Sequence, residues 1–218
     1  MQSLSTTSPA ATGLRERKRV ATREAIEKAA VDIAFDRGYE AATAEAIAAR
    51  AGVSLRTFFN YFGNKDTAIA GTPLRIPDET HGPELLQQSE PQLLKGIVRL
   101  FELAAAHHDP PPEVMRRRRE LIWRYPPLLQ RHHAAIDEFE SELAKVVAEY
   151  LGDNPDRRRL SDELTVEEEA RLAVNMVGSA FRHTARSPGG RDHLDVSERA
   201  RIIERTIDMM AKIYEGER

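Results

Sequence analysis

The 218-residue sequence contains no cysteine, which excludes disulfide bonds and any metal site built on thiolates. No apolar run approaches the roughly 20 residues needed to cross a bilayer. The first fourteen residues are uncharged, and they lack the basic start and apolar stretch of a secretory signal. We therefore expect a cytoplasmic protein with no membrane partner.

Signals of catalysis and of β-structure are missing as well. None of the seven histidines has the spacing of a metal site, and the chain holds no nucleophile elbow or phosphate-binding loop. We expect no catalytic residue, no metal and no cofactor. Hydrophobic residues recur with helical periodicity almost everywhere, and no segment alternates as a strand does. The pattern predicts an all-α protein.

Charge is unevenly distributed along the chain, although the net charge is only −3. Residues 15–66 carry ten Lys/Arg and eight Asp/Glu, and residues 15–23, RERKRVATR, hold five positive residues and one Glu. A basic arm before a more acidic remainder is typical of a protein with a polyanionic partner. A solvated helix start explains the same pattern equally well.

Proline, glycine and capping residues divide the chain into helices and domains. We interpret residues 1–14 as a disordered tail, 15–70 as a small helical domain, 71–84 as a linker and 85–218 as a larger helical bundle. Capping boxes at Thr165–Glu168 and Asp195–Glu198 open the last two helices. The predicted helices cover residues 15–37, 44–50, 54–62, 64–71, 89–108, 113–124, 127–151, 165–186 and 195–214.

The stretch AGVSLRTFFNYF, residues 51–62, holds four of the aromatic residues within five positions. On a helical wheel, one arc carries Leu55, Phe58, Phe59 and Phe62, which we expect to face the core. The opposite side carries Arg56, Thr57, Asn60 and Tyr61. Gly52 separates this helix from the short one before it, so residues 43–62 are predicted to form a helix-turn-helix.

The polar side of this helix has the chemistry of a DNA-reading surface. Arginine donates two hydrogen bonds to guanine O6 and N7, and asparagine pairs with adenine N6 and N7. Hydroxyl groups and the backbone N–H groups at a helix start suit phosphates. A plain helical hairpin within a bundle is the alternative interpretation.

Residues 20–66 resemble the DNA-binding domain of the TetR family of bacterial transcriptional regulators. The similarity lies in four stretches with the right order and spacing: AIEKAA (25–30), DRGYEAAT (36–43), IAARAGVS (47–54) and TFFNYFGNKD (57–66). The resemblance implies that Arg56 and Asn60 read bases. It also implies phosphate contacts by Thr43, Ser54, Thr57, Tyr61 and Lys65, with Arg23 and the preceding arm near the flanking backbone.

Phe59 stands where the family usually has tyrosine. By position it belongs to the DNA-binding set, but it lacks the hydroxyl group that would bind a phosphate. Because the wheel places it at the edge of the apolar arc, we interpret Phe59 as an anchor of the helix.

For the larger domain, the resemblance implies a homodimer formed through residues 166–186 and 197–214. It also implies a palindromic double-stranded DNA operator and a pocket for an unknown small-molecule effector. Filling the domain's own core is the alternative role for the apolar residues of these helices. The candidate pocket residues are Trp123, Tyr125, Phe139, Asn175, Met176 and His183.

The favoured function is a dimeric repressor that a small molecule releases from its operator. A DNA-binding regulator without small-molecule input and a helical enzyme with a DNA-binding head are the alternatives. Two features have open roles. The arginines 116–119 wrap around their helix, so at most two of them share a face. Because the fourth helix is short, we expect a signal from the effector pocket to reach the DNA-binding helices through the segment 71–84.

Overall fold

The computed structural model describes residues 9–71, 74–76, 81–89, 92–106, 110–186 and 196–215. Within these residues all regular structure is helical, as predicted. Single 3-10 turns lie at Tyr39–Ala41 and Pro155–Arg157. The α-helices are α1 Pro9–Arg37, α2 Ala44–Ala51, α3 Leu55–Phe62, α4 Lys65–Ala70, α5 His81–Gln88, α6 Leu93–Ala106, α7 Pro112–Arg124, α8 Pro126–Asp153, α9 Val166–Arg186 and α10 Val196–Glu215.

One helix start was predicted too late and one helix was not predicted, and both errors involve proline. α1 begins at Pro9, inside the predicted tail, and α5 lies partly inside the predicted linker, with Pro83 in its first turn. Proline is tolerated in the first turn of a helix because the N–H it lacks would have no partner there. The helix predicted from residue 89 begins at Leu93.

Capping explains the helix boundaries that were predicted correctly. The side chains of Thr43, Ser54 and Asn64 accept hydrogen bonds from backbone N–H groups three residues later, at 3.2, 3.0 and 2.8 Å. The capping box at α9 is confirmed, because Thr165 and Glu168 exchange hydrogen bonds of 2.9 and 3.3 Å. The predicted cap at Asp195 lies outside the described residues.

The chain forms two compact units that are not continuous in sequence. Unit 1 comprises residues 1–72 together with 110–132, and unit 2 comprises 73–109 together with 133–218. The predicted C-terminal domain, 85–218, therefore differs from unit 2, because α7 and the start of α8 belong to unit 1. Sequence patterns missed this division because it depends on contacts between distant segments.

Unit 1 is built around α1, against which α2, α4 and α7 pack. Its core is assembled mainly from small and aliphatic residues, with two aromatic rings contributed by α3. The central members are Ile26, Ala30, Ile47, Phe58, Phe62, Ile69, Leu121 and Leu128.

Unit 2 has a larger core formed by α5, α6, α8, α9 and α10. Two buried phenylalanines and the partly buried Phe181 meet there: Phe101 stacks on Phe181 at 4.6 Å and meets Phe139 edge-on at 5.0 Å between ring centroids. No helix in the described part of the chain is long and apolar enough to cross a membrane.

Candidate nucleic-acid interface

α2, a tight turn and α3 form the predicted helix-turn-helix. Gly52 ends α2 with φ of 68°, a left-handed conformation that glycine adopts without steric cost. The N–H of Val53 donates to the carbonyl of Ala48 at 3.0 Å, which closes the end of α2. Ser54 then caps α3, so the turn between the helices is held by hydrogen bonds at both ends.

The face of α3 that is exposed differs from the predicted one. Phe58 and Phe62 are buried, as expected, but Phe59 is 48% exposed and Leu55 is 39% exposed. The interpretation of Phe59 as an anchor is therefore wrong. Helical periodicity places residues in angular order but does not say where neighbouring elements cover the helix. Here they cover the side on which Phe58 and Phe62 lie.

The two residues predicted to read bases, Arg56 and Asn60, are both exposed on α3. Tyr61 is half-buried and packs against the unit 1 core, so only part of its ring is accessible. The exposed arc of α3 thus carries Leu55, Arg56, Phe59 and Asn60.

Three hydroxyl-bearing residues of the predicted phosphate set lie at helix starts. Thr43 and Ser54 are exposed and cap α2 and α3, and the Ser54 and Thr57 hydroxyl oxygens are 2.7 Å apart. Backbone N–H groups at the start of a helix favour an anion. Ser54 and Thr57 therefore place hydroxyl groups where a phosphate would be stabilised.

Lys65 and Arg23, the two cationic members of the predicted set, are half-buried in unit 1. The Lys65 Nζ lies 3.8 Å from the centroid of the Tyr39 ring and 3.2 Å from Glu40 Oε2. Tyr39 itself donates to Asp66 at 2.7 Å; burial, and then the Asp66 carboxylate, raise the pKa of Tyr39. Lys65 is thus held near the start of α4 by contacts within the unit.

Asp32 joins three helices of unit 1, including α2, against which α3 packs. Its nearly buried carboxylate lies 2.6 Å from Lys28 Nζ on α1, 3.2 Å from Arg50 Nη2 on α2 and 3.4 Å from Arg117 Nη1 on α7. Burial by itself raises the pKa of Asp32, but the hydrogen bonds and charges of Lys28 and Arg50 outweigh it and hold the pKa below its ordinary value.

A buried ion pair holds α7 in unit 1. Arg118 Nη2 donates to Glu27 Oε2 at 2.7 Å, and its Nε donates to the carbonyl of Ile69 at 3.1 Å. Both side chains of the pair are less than a tenth exposed. Gly71 makes room for the guanidinium, because a Cβ there would lie 2.7 Å from Arg118 Nη1.

The sequence left the role of the arginines 116–119 open. In the structure, Arg116, Arg117 and Arg118 have different surroundings. Arg116 and Arg117 bind Glu113 at the surface, at 2.7 and 2.9 Å, whereas Arg118 is buried. Arg117 also lies over the Phe35 ring, 4.8 Å from its centroid. Sequence analysis did not identify Glu27, Asp32 or Arg118 as important, because their partners are up to 91 residues away.

The six candidate pocket residues are not gathered in one place. Trp123 and Tyr125 belong to unit 1, where Trp123 is 55% exposed and Tyr125 stacks on Tyr39 at 5.1 Å. In unit 2, Phe139 is buried in the core, and the other three are exposed on α9: Asn175, Met176 and His183.

A cavity of about 540 Å³ lies in unit 2, between the segment 74–76 and one face of α8. It is lined by Leu74, Arg75, Ile76, Glu138, Glu142, Lys145, Val146 and Glu149, and by none of the six candidates. Among the described residues no group of three or more potential ligands is placed to hold a metal ion.

The last two helices carry apolar side chains that unit 2 does not cover. Leu172 and Met176, one turn apart on α9, are 51% and 37% exposed, and Met209 on α10 is 44% exposed. The inward faces of the same helices contribute Val174, Val177 and Ile203 to the core. Each helix is therefore apolar on more than its buried side.

Comparison with known proteins identifies the N-terminal region. Residues 26–67 match the family model "Bacterial regulatory proteins, tetR family". The HTH-type transcriptional regulator TcmR of Streptomyces glaucescens is 30% identical over an alignment of 151 residues that covers 64% of this chain. The chain covers 65% of the length of TcmR, so the match leaves about a third of that relative unaccounted for.

Two solved structures align with most of this chain. A Mesorhizobium loti chain described as a TetR-family transcriptional regulator has a TM-score of 0.46 at 16% identity, covering 90% of this chain and 98% of its own. Thermus thermophilus FadR, a TetR-family repressor in complex with lauroyl-CoA, has a TM-score of 0.35 at 25% identity, covering 87% and 93%. Both scores are below 0.5, so the assignment depends on the matched sequence: residues 26–67 are a helix-turn-helix domain of the TetR family of bacterial regulatory proteins.

Proposed function

We propose that the protein is a cytoplasmic, dimeric, sequence-specific DNA-binding repressor whose α3 helix lies in the major groove. The observation that carries this proposal is the exposed face of α3, where Arg56 and Asn60 project from a capped helix held on a buried core. Arginine donates two hydrogen bonds to guanine, and asparagine both donates to and accepts from adenine, so both side chains can distinguish bases in the major groove. Ser54 and Thr57 supply hydroxyl groups for the adjacent phosphates.

Dimerisation is part of the proposal because one short helix makes too few contacts for specific binding. The uncovered apolar side chains Leu172 and Met176 on α9 and Met209 on α10 support it. A symmetric pair of such surfaces would place two copies of α3 on the half-sites of a palindrome. The half-sites would be centred roughly 34–36 Å apart, or a multiple of that distance.

The test begins with selection of duplexes from a random double-stranded library by the purified chain. We expect a palindromic site to be enriched, with affinity that falls steeply as salt is raised. Arg56→Ala is expected to weaken binding to that site by roughly 1–3 kcal/mol and to relax the preference at one position of each half-site.

Arg99→Ala is the matched control, since Arg99 is an exposed arginine on α6 of unit 2. It should leave both affinity and base preference unchanged. Failure of the wild-type chain to enrich any duplex would contradict the proposal. Equal effects of the two arginine substitutions would contradict the role of Arg56.

Release by a small molecule completes the proposal, with the unit 2 cavity as the space to examine first. Its lining includes three glutamates, one lysine and one arginine, so a polar effector suits it better than an apolar one. Native mass spectrometry of the purified protein, followed by DNA-binding assays with any molecule found, tests this step.

A regulator without small-molecule input is the second candidate. The packing of the unit 2 core favours it, since Phe139 is fully buried against Phe101 and the cavity is lined mainly by charged side chains outside this aromatic cluster. A protein that carries no molecule, and whose DNA affinity no small molecule changes, would support this candidate.

A further inference from the structure

The recognition helix exposes an apolar pair next to its polar base-reading residues. Leu55 and Phe59 are one helical turn apart on α3, and they are 39% and 48% exposed. The Phe59 ring meets the fully buried Phe58 ring edge-on, with centroids 5.4 Å apart and an angle of 75° between the planes. Phe59 is thus supported from one side while its other side is uncovered.

The angular order on α3 makes this pair half of the exposed surface. At about 100° per residue, with Leu55 at 0°, Phe59 lies at about 40°, Arg56 at about 100° and Asn60 at about 140°. These four residues are the exposed ones in α3. They form one continuous arc with an apolar half and a polar half, and Phe59 and Arg56 lie on either side of its centre.

The apolar half matches one chemical group on DNA. In the major groove the four base pairs present hydrogen-bond donors and acceptors, and thymine adds its C5-methyl group. The phenyl ring of Phe59 has no hydroxyl group to offer a phosphate, and the side chain of Leu55 has none either. A helix face that carries these apolar side chains next to Arg56 and Asn60 is suited to contact a thymine methyl group beside a hydrogen-bonded base.

We propose that Phe59, flanked by Leu55, reads thymine methyl groups next to the base that Arg56 contacts, so that each half-site requires thymine there. Residues three apart on a helix have Cβ atoms about 5–6 Å apart, and bases follow one another every 3.4 Å or so. The thymine therefore lies roughly one or two base pairs from the Arg56 position. This proposal rests on the proposed DNA-binding function.

The experiment uses the duplex selected by the wild-type chain, with each thymine of one half-site replaced in turn by deoxyuridine. Deoxyuridine lacks only the C5-methyl group, so base pairing and hydrogen-bonding groups stay the same. At one or two positions the replacement is expected to weaken wild-type binding roughly fourfold, the ratio for one buried methyl group. Phe59→Ala should bind the thymine and deoxyuridine duplexes equally well at those positions.

Two further variants separate this contact from other effects. Leu103→Ala truncates an exposed leucine of unit 2 and should keep the full sensitivity to deoxyuridine. Phe59→Leu keeps an apolar side chain and should retain part of it. Because Phe59 is half-exposed, its substitution should leave the helical circular dichroism and the thermal midpoint near the wild-type values.

The outcomes distinguish this proposal from the one on which it rests. If no duplex is enriched by the wild-type chain, DNA binding fails and the thymine contact fails with it. If a site is enriched but deoxyuridine affects wild type and Phe59→Ala equally at every position, DNA binding stands and the thymine contact is overturned. A uniform loss of affinity in Phe59→Ala, with unchanged sensitivity to deoxyuridine, overturns it too.

Discussion

The two units of this protein both leave apolar side chains uncovered, but beside different neighbours. In unit 1, Leu55 and Phe59 lie on the same exposed arc as Arg56 and Asn60. In unit 2, Leu172 and Met176 lie one turn apart on the 21-residue helix α9, and Met209 is exposed on α10. A short helix that exposes apolar and base-reading residues together suits the edges of bases, whereas exposed apolar residues on two long helices suit a second copy of the same surface. We therefore propose a different partner for each of the two surfaces.

The interiors of the two units also differ in the kind of contact that holds them together. Unit 1 joins two distant parts of the chain through the buried Arg118–Glu27 ion pair and the Asp32 network. Unit 2 is centred on the cluster of Phe101, Phe139 and Phe181. Unit 2 also holds a largely buried ion pair, Arg158–Glu169, but the pair in unit 1 joins segments much farther apart in the chain. We therefore expect the loss of one charge from the Arg118–Glu27 pair to disturb unit 1 strongly.

Replacing Arg118 by methionine is expected to have the largest effect. It leaves the Glu27 carboxylate buried without its cation, which costs roughly 3–5 kcal/mol of unfolding free energy. The loss should appear in urea denaturation followed by the fluorescence of Trp123, the single tryptophan, which lies in α7 of unit 1.

Arg116→Met is the matched control, because Arg116 pairs with Glu113 at the surface of the same helix. It should cost no more than about 1 kcal/mol. The double variant Glu27→Leu/Arg118→Met removes both charges and should recover most of the loss. Equal costs for the Arg116 and Arg118 substitutions would contradict the claim that unit 1 depends on its buried pair.

Truncating Leu172 tests the contrast between the two apolar surfaces. Leu172→Ala removes a half-exposed side chain from both copies in a dimer, which is expected to weaken self-association by roughly 1.5–3 kcal/mol in total. Sedimentation equilibrium over a range of protein concentrations measures this.

Leu55→Ala is the reciprocal variant, since Leu55 is also exposed but lies on α3 of unit 1. It should leave self-association unchanged and weaken binding to the selected duplex. If both leucine variants changed self-association to the same extent, the division into a DNA-facing and a self-pairing surface would be wrong.

Local signals in the sequence predicted what local chemistry determines. Thr43, Ser54 and Asn64 cap their helices as expected, and the Thr165–Glu168 capping box is present. The all-α class followed from the periodicity in the same way. In each case the residues that decide the outcome lie within one or two helical turns of one another.

Non-local packing explains what the sequence did not predict. Phe59 was expected to be buried, but the neighbouring elements cover the side of α3 on which Phe58 and Phe62 lie and leave Phe59 about half exposed. α7 was assigned to the larger domain, but Arg118 reaches Glu27, 91 positions earlier in the chain. Helical periodicity orders the side chains around each helix, but it does not tell which helix will pack against which face.

Removing the caps of α3 and α9 tests the contrast between the two units with a smaller expected effect on stability. Ser54→Ala and Thr165→Ala each remove one hydrogen bond to a helix N–H group, at 3.0 and 3.3 Å, and each should cost about 1 kcal/mol of stability. Only Ser54→Ala should also weaken binding to the selected duplex, because only Ser54 lies beside the proposed phosphate site. Equal DNA affinities of the two variants would contradict that assignment.

The smallest effect concerns pH, where the two units should respond with opposite signs. The pKa of Asp32 in unit 1 is lowered from its ordinary 3.8, because its cationic partners outweigh burial. Its contribution to stability is therefore present above pH 3.8 and is lost as the pH falls through the folded-state value. The pKa of Glu140 in unit 2 is raised from its ordinary 4.5 by burial, which outweighs the nearby Arg182.

For Glu140 the folded state binds the proton more tightly than the unfolded state, so its contribution decreases as the pH rises above 4.5. Urea denaturation of Asp32→Asn and Glu140→Gln between about pH 3 and pH 7 measures both effects. The stability difference between wild type and Asp32→Asn should grow with pH, and that for Glu140→Gln should shrink. If the stability difference changed with pH in the same direction for both variants, the pKa shifts of Asp32 and Glu140 would not have opposite signs. The contrast between the two units would then be wrong.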